Sequence, residues 1–289
     1  MVYFPEKAKR MPRGGLHGMK EEHMTVSVLI PAYNAAGTLA ATLEAVRAQT
    51  RPADEIVVCD DGSTDGTAAV AASVPGVRVL RKRNAGAYSA KMDLLAAAAG
   101  EAVLFCDADD APHADWTAHL VGRLEATGAD MAVAGVCAGA DLGERRYAWP
   151  CAEAGVVAAR AFFRLQLAHP PGVYSYVPCA AFRRARLTGP RAIRPVPGLQ
   201  MHEDEVFMLE AARRCRTVAV SPACVYDYVF RPGSLCDVYA RNRAADRRHR
   251  RQWFLRDAAK FRISRRPRFL LRALWHALHL LLPEPRGAR

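Results

Sequence analysis

The sequence predicts an α/β fold with a mostly parallel, Rossmann-like central sheet, flanking helices and a basic helical extension at the C-terminal end. Three observations carry this. Four short apolar runs alternate with three Ala- and Leu-rich segments between residues 26 and 106, the pattern of strands buried on both faces and joined by helical crossovers. The apolar runs break into polar or acidic loops at their carboxyl ends. The net charge of +12 is segregated: residues 231–289 hold 16 Lys/Arg against 4 Asp/Glu, while the first 230 residues hold 25 of each. A neutral globular body therefore carries a basic tail, and an anionic surface is the natural partner of the tail alone.

In chain order, residues 1–24 read as a poorly ordered lead-in, with no apolar core of a signal peptide. The run VSVLI at 26–30 is the first strand, and PAYNAAG at 31–37 a turn. Thr38 is placed to cap a helix whose apolar positions Leu39, Leu43 and Val46 share one face. EIVVC at 55–59 is the second strand, opening into DDGSTDG at 60–66, with Asp65 or Thr64 as cap of the next helix. VRVL at 77–80 is the third strand; a helix is expected over 89–99 and the fourth strand over 102–106. Further on, a helix is expected at 115–127, a strand at 130–136, irregular chain at 137–155, a helix at 202–214 and an alternating strand at 223–230.

The fourth strand runs straight into Asp107, Asp109 and Asp110. Ligands of open α/β sheets bind at such carboxyl ends. Clustered carboxylates need a counter-charge, and a hard divalent cation shared with a substrate diphosphate supplies it; a solvated acidic turn is the plainer alternative. No Gly-x-Gly-x-x-Gly follows the first strand and no Walker-type loop occurs, so a diphosphate must be neutralised by other means. Asp60 and Asp61 stand where such folds read a ribose or base, or else do turn chemistry. Tyr33 suits stacking on a base, or packing at the helix entry.

Taken together, VSVLIPAYN at 26–34, DDGSTDG at 60–66, NAG at 84–86 and DADD at 107–110 closely resemble the family 2 glycosyltransferases. The resemblance covers about residues 25–235 and implies a GT-A fold, a nucleotide-diphospho-sugar donor, a divalent metal (Mn2+ or Mg2+) and inversion at the anomeric carbon. It implies that Pro31, Tyr33 and Asp61 hold the base with Asp60 nearby, that Asp107 touches the ribose side and takes part in metal binding, and that Asp109 ligates the metal. Lys91 stands where many members have an Arg near the nucleotide; it keeps the charge without the planar fork. Glu203-Asp204, followed by Phe207, matches the place of the family's general base. Carboxylates in a first helical turn are also favoured by the helix dipole alone. Asp204 is the preferred base, with Glu203 as the other candidate, and His202 replaces a common Gly. Arg231 falls in a segment that often closes over the donor and can pair with the leaving diphosphate.

Residues 236–289 form the basic tail. Arg268, Arg272, His276 and His279 recur at helical spacing among leucines and aromatics. Such a helix suits a membrane interface but not a membrane crossing; packing on the domain or a dimer contact are the alternatives. No nucleic-acid motif accompanies the charge. Eight cysteines without a Cys-x-x-Cys pair suggest free thiols in a reducing compartment. The expected protein is thus a cytoplasmic hexosyltransferase, peripheral on the inner face of the plasma membrane, acting on a polysaccharide or lipid-linked acceptor in envelope or exopolysaccharide synthesis. A sugar-phosphate nucleotidyltransferase and a non-catalytic nucleotide-sugar-binding protein are the competing readings.

Overall fold

The computed structural model describes residues 23–138, 146–147, 154–168, 176–190, 192–228 and 247–281. Its first half follows the predicted alternation: β1 (Val26–Ala32), α1 (Leu39–Arg47), β2 (Glu55–Asp60), α2 (Thr67–Ser73), β3 (Val77–Arg81), α3 (Ala87–Ala97) and β4 (Ala102–Phe105). β1 pairs in parallel with both β2 and β4, and β2 with β3. The order β3-β2-β1-β4 reverses winding between β1 and β4. That reversal opens a crevice at the carboxyl ends of the two strands, where the loops beginning at Tyr33 and Asp107 emerge.

The second half adds β5 (Ala111–Pro112), α4 (Trp116–Thr127), β6 (Met131–Ala138), β7 (Arg146–Tyr147), β8 (Gly155–Ala158), α5 (Ala159–Ala168), a 3-10 turn (Val177–Cys179), β9 (Ala180–Arg183), α6 (Arg184–Leu187), α7 (Glu203–Arg214) and β10 (Thr217–Tyr228). β9 lies antiparallel between β4 and β6, so both halves share one sheet. The strand expected at 223–230 is the end of the longer β10, whose pairing with β6 shifts register around Pro222; proline has no N–H to give the ladder. Most of the stretch expected to be irregular at 137–155 lies outside the described residues, as do Arg231 and its segment.

Period-two alternation divides the core between the two faces of the sheet. Val26, Val28 and Ile30 of β1 pack with Leu39, Leu43, Trp116 and Leu120 of α1 and α4. Leu29, Val103 and Phe105 face the other way, toward α3, α5 and α7. Two expected caps do different work. Thr38 makes no cap bond; its hydroxyl donates to the Ala108 carbonyl at 2.9 Å. Asp65 precedes the actual N-cap Gly66 and accepts from Ala36 N at 3.1 Å. Thr38 ties two loops together instead of closing a helix, whereas Asp65 does both, its other oxygen accepting from Thr67 N, the first residue of α2, at 3.0 Å. The free-thiol expectation fits Cys59, Cys106, Cys179 and Cys215, but Cys224 is disulfide-bonded; sequence spacing carries no information about which cysteines meet in the fold.

α8 (Arg247–Ser264) and α9 (Pro267–Leu281) close the described chain. Ala259, Ile263 and Phe269 are buried in the core cluster of α5 and α7. α9 turns His276 inward, while Arg272 stays half exposed and reaches in with its Nε. Asp257 of α8 is fully buried and draws Arg272 Nε to 3.3 Å and His276 Nε2 to 3.5 Å. Leu271, Leu274, Trp275 and Leu278 are left more than half exposed, at 65%, 56%, 56% and 59%. Asp257 also pairs with the buried Arg256 at 3.0 Å, so the contacts from α9 add to a pair already made within α8.

The loop after β2 is pressed onto the loop after β3. Gly62 has φ +78°, and a Cβ there would stand 2.6 Å from Asn84 N and 3.1 Å from Lys82 O. Gly62→Ala combines left-handed strain with a backbone collision and is expected to lower stability by about 2–4 kcal/mol. Urea unfolding measures it; a loss under about 1 kcal/mol would show that these loops shift freely.

Candidate active site

Three groups of side chains gather at the carboxyl ends of β1, β2 and β4. The first joins the loops after β1 and β2. Asn34, at φ 50°, accepts from Thr64 N at 2.9 Å and donates its own N–H to Ser63 Oγ at 2.9 Å. Tyr33 then projects into solvent, 51% exposed, beside the partly buried Pro31. Asp60 is fully buried, accepting from Ser63 N at 2.9 Å and Arg81 Nε at 3.1 Å. Asp61, also buried, accepts from Gly86 N at 2.7 Å and Ala85 N at 3.0 Å. Burial pushes the Asp61 carboxyl up, against the two amides that favour its charge. Both carboxylates thus fix the loops around the crevice.

The second group is the turn after β4. It is clamped from below: Thr38 holds the Ala108 carbonyl, and Thr42 Oγ1 donates to the Asp110 carbonyl at 2.9 Å. Two tyrosines clamp it from the side. Tyr226 of β10 accepts from Asp107 N at 3.2 Å. The Tyr176 hydroxyl lies 3.2 Å from Asp107 Oδ2 and hydrogen-bonds to the Asp110 carboxylate. The two rings pack edge-on at 5.7 Å. Burial raises the Asp107 carboxyl to about 6; Lys91 opposes the rise, and Asp204 and Asp109 add to it.

The third group opens α7. Phe207 anchors it, edge-on to Phe105, Phe182 and Tyr88 at 5.3, 5.5 and 6.4 Å. That anchor turns Glu203 and Asp204 toward Lys91 of α3. Lys91 is buried, ion-paired to Asp204 Oδ1 and 3.6 Å from Glu203 Oε1. Val177 N donates to the other Asp204 oxygen at 3.3 Å. Burial works against the Lys91 charge, but Asp204, Glu203 and Asp107 outweigh it and hold the ammonium above its ordinary range. Burial pushes Glu203 up to about 7, again against Lys91.

The structure therefore brings Lys91, Asp107, Glu203 and Asp204 into one electrostatic unit. It sets Pro31, Tyr33, Asp60 and Asp61 around the adjoining loops. Sequence reading missed Tyr176 and Tyr226. Tyr226 sits in a visible alternating strand, whereas Tyr176 lies in a stretch without periodicity. Among the described residues no group of three or more His, Cys, Asp or Glu is arranged to enclose an ion. Asp107 and Asp109 nevertheless offer hard carboxylate oxygens. Mg2+ and Mn2+ use that chemistry when one or two carboxylates are completed by substrate phosphates and water.

The glycosyl transferase family 2 model matches residues 27–188. The glycosyltransferase AglE of Haloferax volcanii is 34% identical over 113 residues, 37% of this chain and 37% of the relative. The chain thus matches little more than a third of that relative's length. Among solved structures, S. aureus TarS 1-349 in complex with UDP-GlcNAc superposes with a TM-score of 0.64 at 19% identity, covering 89% of this chain and 70% of that one. Glucosyl-3-phosphoglycerate synthase from Mycobacterium tuberculosis, in complex with Mn2+, UDP and glucosyl-3-phosphoglycerate, does so with a TM-score of 0.54 at 23% identity, covering 82% and 80%. With more than half its length inside the family model and a sheet that follows the GT-A neighbours, the chain belongs to glycosyl transferase family 2.

Proposed function

We propose that this chain is a metal-dependent, inverting glycosyltransferase that moves a sugar from a nucleotide-diphospho-sugar, with UDP as the favoured nucleotide, to a polysaccharide or lipid-linked acceptor. The observation that carries the reading is the meeting of two acidic groups on one buried lysine. Asp107 and Asp109 end the parallel sheet where a diphosphate binds; Glu203 and Asp204 enter from α7, the acceptor side. Pro31, Tyr33, Asp60 and Asp61 line the nucleotide end, and Tyr33 has the exposed ring that stacking on a base requires. Arg231, outside the described residues, is proposed to pair with the diphosphate. Membership of a glycosyltransferase family favours sugar transfer over the nucleotidyltransferase reading.

In the proposed reaction, an acceptor hydroxyl oxygen attacks the anomeric carbon from the face opposite the diphosphate. Asp204 takes the hydroxyl proton, the new C–O bond forms, and the old one breaks with its electron pair leaving on the nucleoside diphosphate. Bound at Asp107 and Asp109, Mn2+ or Mg2+ would supply positive charge to that leaving group. Lys91 holds the Asp204 carboxylate in place and adds cationic charge between the two halves of the site.

The proposal extends to a membrane surface. No described helix is long and apolar enough to cross a membrane. α9 presents Leu270, Leu271, Leu274, Trp275 and Leu278 outward, with Arg265, Arg268 and Arg272 exposed beside them. An apolar face edged by cations suits the interface of an anionic bilayer. A lipid-linked acceptor would then lie in the surface to which the enzyme is docked.

Three measurements test this. Asp204→Asn keeps size and hydrogen bonding but cannot accept a proton at neutral pH. Transfer should fall by roughly 10²–10⁴-fold with UDP affinity nearly unchanged, and Glu203→Gln should cost less; the opposite ranking moves the base to Glu203. Asp109→Ala should remove the manganese dependence of UDP binding by calorimetry, and retention of that dependence would exclude Asp109 as a ligand. Replacing Leu271, Leu274 and Leu278 together by Ser should abolish sedimentation with vesicles containing phosphatidylglycerol while leaving UDP binding intact. Equal sedimentation would remove α9 as the membrane contact.

A further inference from the structure

The loop over residues 198–202 delivers the acidic pair of α7. Gly198 has φ +75° and His202 φ +62°. A non-glycine residue in the left-handed region is costly and persists only where its surroundings over-determine it. His202 makes no side-chain cap bond to α7. Contacts from α8 hold the loop. Gln252 is 6% exposed. Its Oε1 accepts from Gln200 N at 2.7 Å and from Met201 N at 3.2 Å, and its Nε2 donates to the Gly198 carbonyl at 2.9 Å. One buried amide thus satisfies three backbone groups of a five-residue loop. The next residue, Trp253, packs its ring 5.3 Å from the His202 ring.

α8 is itself held. Gln252, Arg256 and Lys260 share a helix face at four-residue spacing. Lys260 is ion-paired with the buried Glu205, the residue after Asp204. The Arg256 guanidinium lies 4.1 Å from the Trp253 ring centroid.

We infer that α8 belongs to the catalytic apparatus: Gln252 and Trp253 are positioning residues that hold the 198–202 loop, and through it Glu203 and Asp204, in working geometry. This rests on the assignment of the α7 acids to the acceptor side. Neither residue touches substrate; each acts through the loop. Misplacing a catalytic group by about 1 Å can cost ~10²-fold, so the brace should govern kcat more than donor binding.

The test uses the full chain with Gln252→Met, Trp253→Ala and Trp253→Phe. Hydrogen exchange is followed over residues 198–204 and over the later turns of α7. UDP affinity is measured by calorimetry with Mn2+. UDP release is measured with whichever of UDP-glucose, UDP-galactose and UDP-N-acetylglucosamine the unmodified protein turns over fastest. In Gln252→Met and Trp253→Ala, exchange of the loop should rise about tenfold or more while the later turns of α7 stay protected. kcat should fall about tenfold or more, with UDP affinity and donor KM within about twofold. Trp253→Phe, which keeps a ring against His202, should recover most of both losses. Unchanged exchange in the loop overturns the inference. So does faster exchange with unchanged kcat, or a joint loss of kcat, UDP affinity and protection throughout α7, which would mark a general structural role. The exchange readout does not depend on which acid is the base, so an active Asp204→Asn enzyme would refute the base assignment separately.

Discussion

The site depends on one buried ammonium group. Lys91 sits where Asp204, Glu203 and Asp107 approach from different elements, and it is almost wholly withdrawn from water. Without it the crevice would gather carboxylates whose mutual repulsion and desolvation oppose folding. With it, α3, the β4 turn and the start of α7 are held by one charge. The balance is incomplete: Asp107 and Glu203 still sit above the ordinary carboxylate range. Burial is the main cause of both rises.

Much of this was legible in the sequence. The four strands and three helices of the first half follow from period and punctuation alone, and the acidic turn after β4 stands where its apolar run ends. Strand β9 was not legible, because AAFR at 180–183 is too short and too Ala-rich to signal a strand against the helical preference of alanine. The Tyr176 clamp was hidden for a related reason: its contact spans 66 residues of sequence to Asp110, and no local pattern encodes that meeting. Thr38 carried genuine cap chemistry, but a tertiary partner claimed its hydroxyl; Asp65 meets the start of α2 through Thr67 N and reaches Ala36 N as well.

The C-terminal helices show the same limit. The spacing of Arg268, Arg272 and His276 announces an amphipathic helix, yet amphipathicity states only that two faces exist. The face that turns inward carries Phe269 and Ala273, with His276 beside the buried Asp257 of the preceding helix. α8, an Arg-rich segment by composition, is built into the core through Ala259 and Ile263 and reaches the loop before α7. The chain beyond the family model is therefore structurally continuous with the site.

β9 has a mechanical consequence. Hydrogen-bonded to β4 on one side and β6 on the other, it sews the strands of the first and second halves into a single stiff layer of backbone. Two lobes joined by a linker can swing like a bivalve, but a shared sheet has no hinge line along which to bend. Movement at the crevice is then left to segments outside the sheet, and the strands beneath them behave as an anvil.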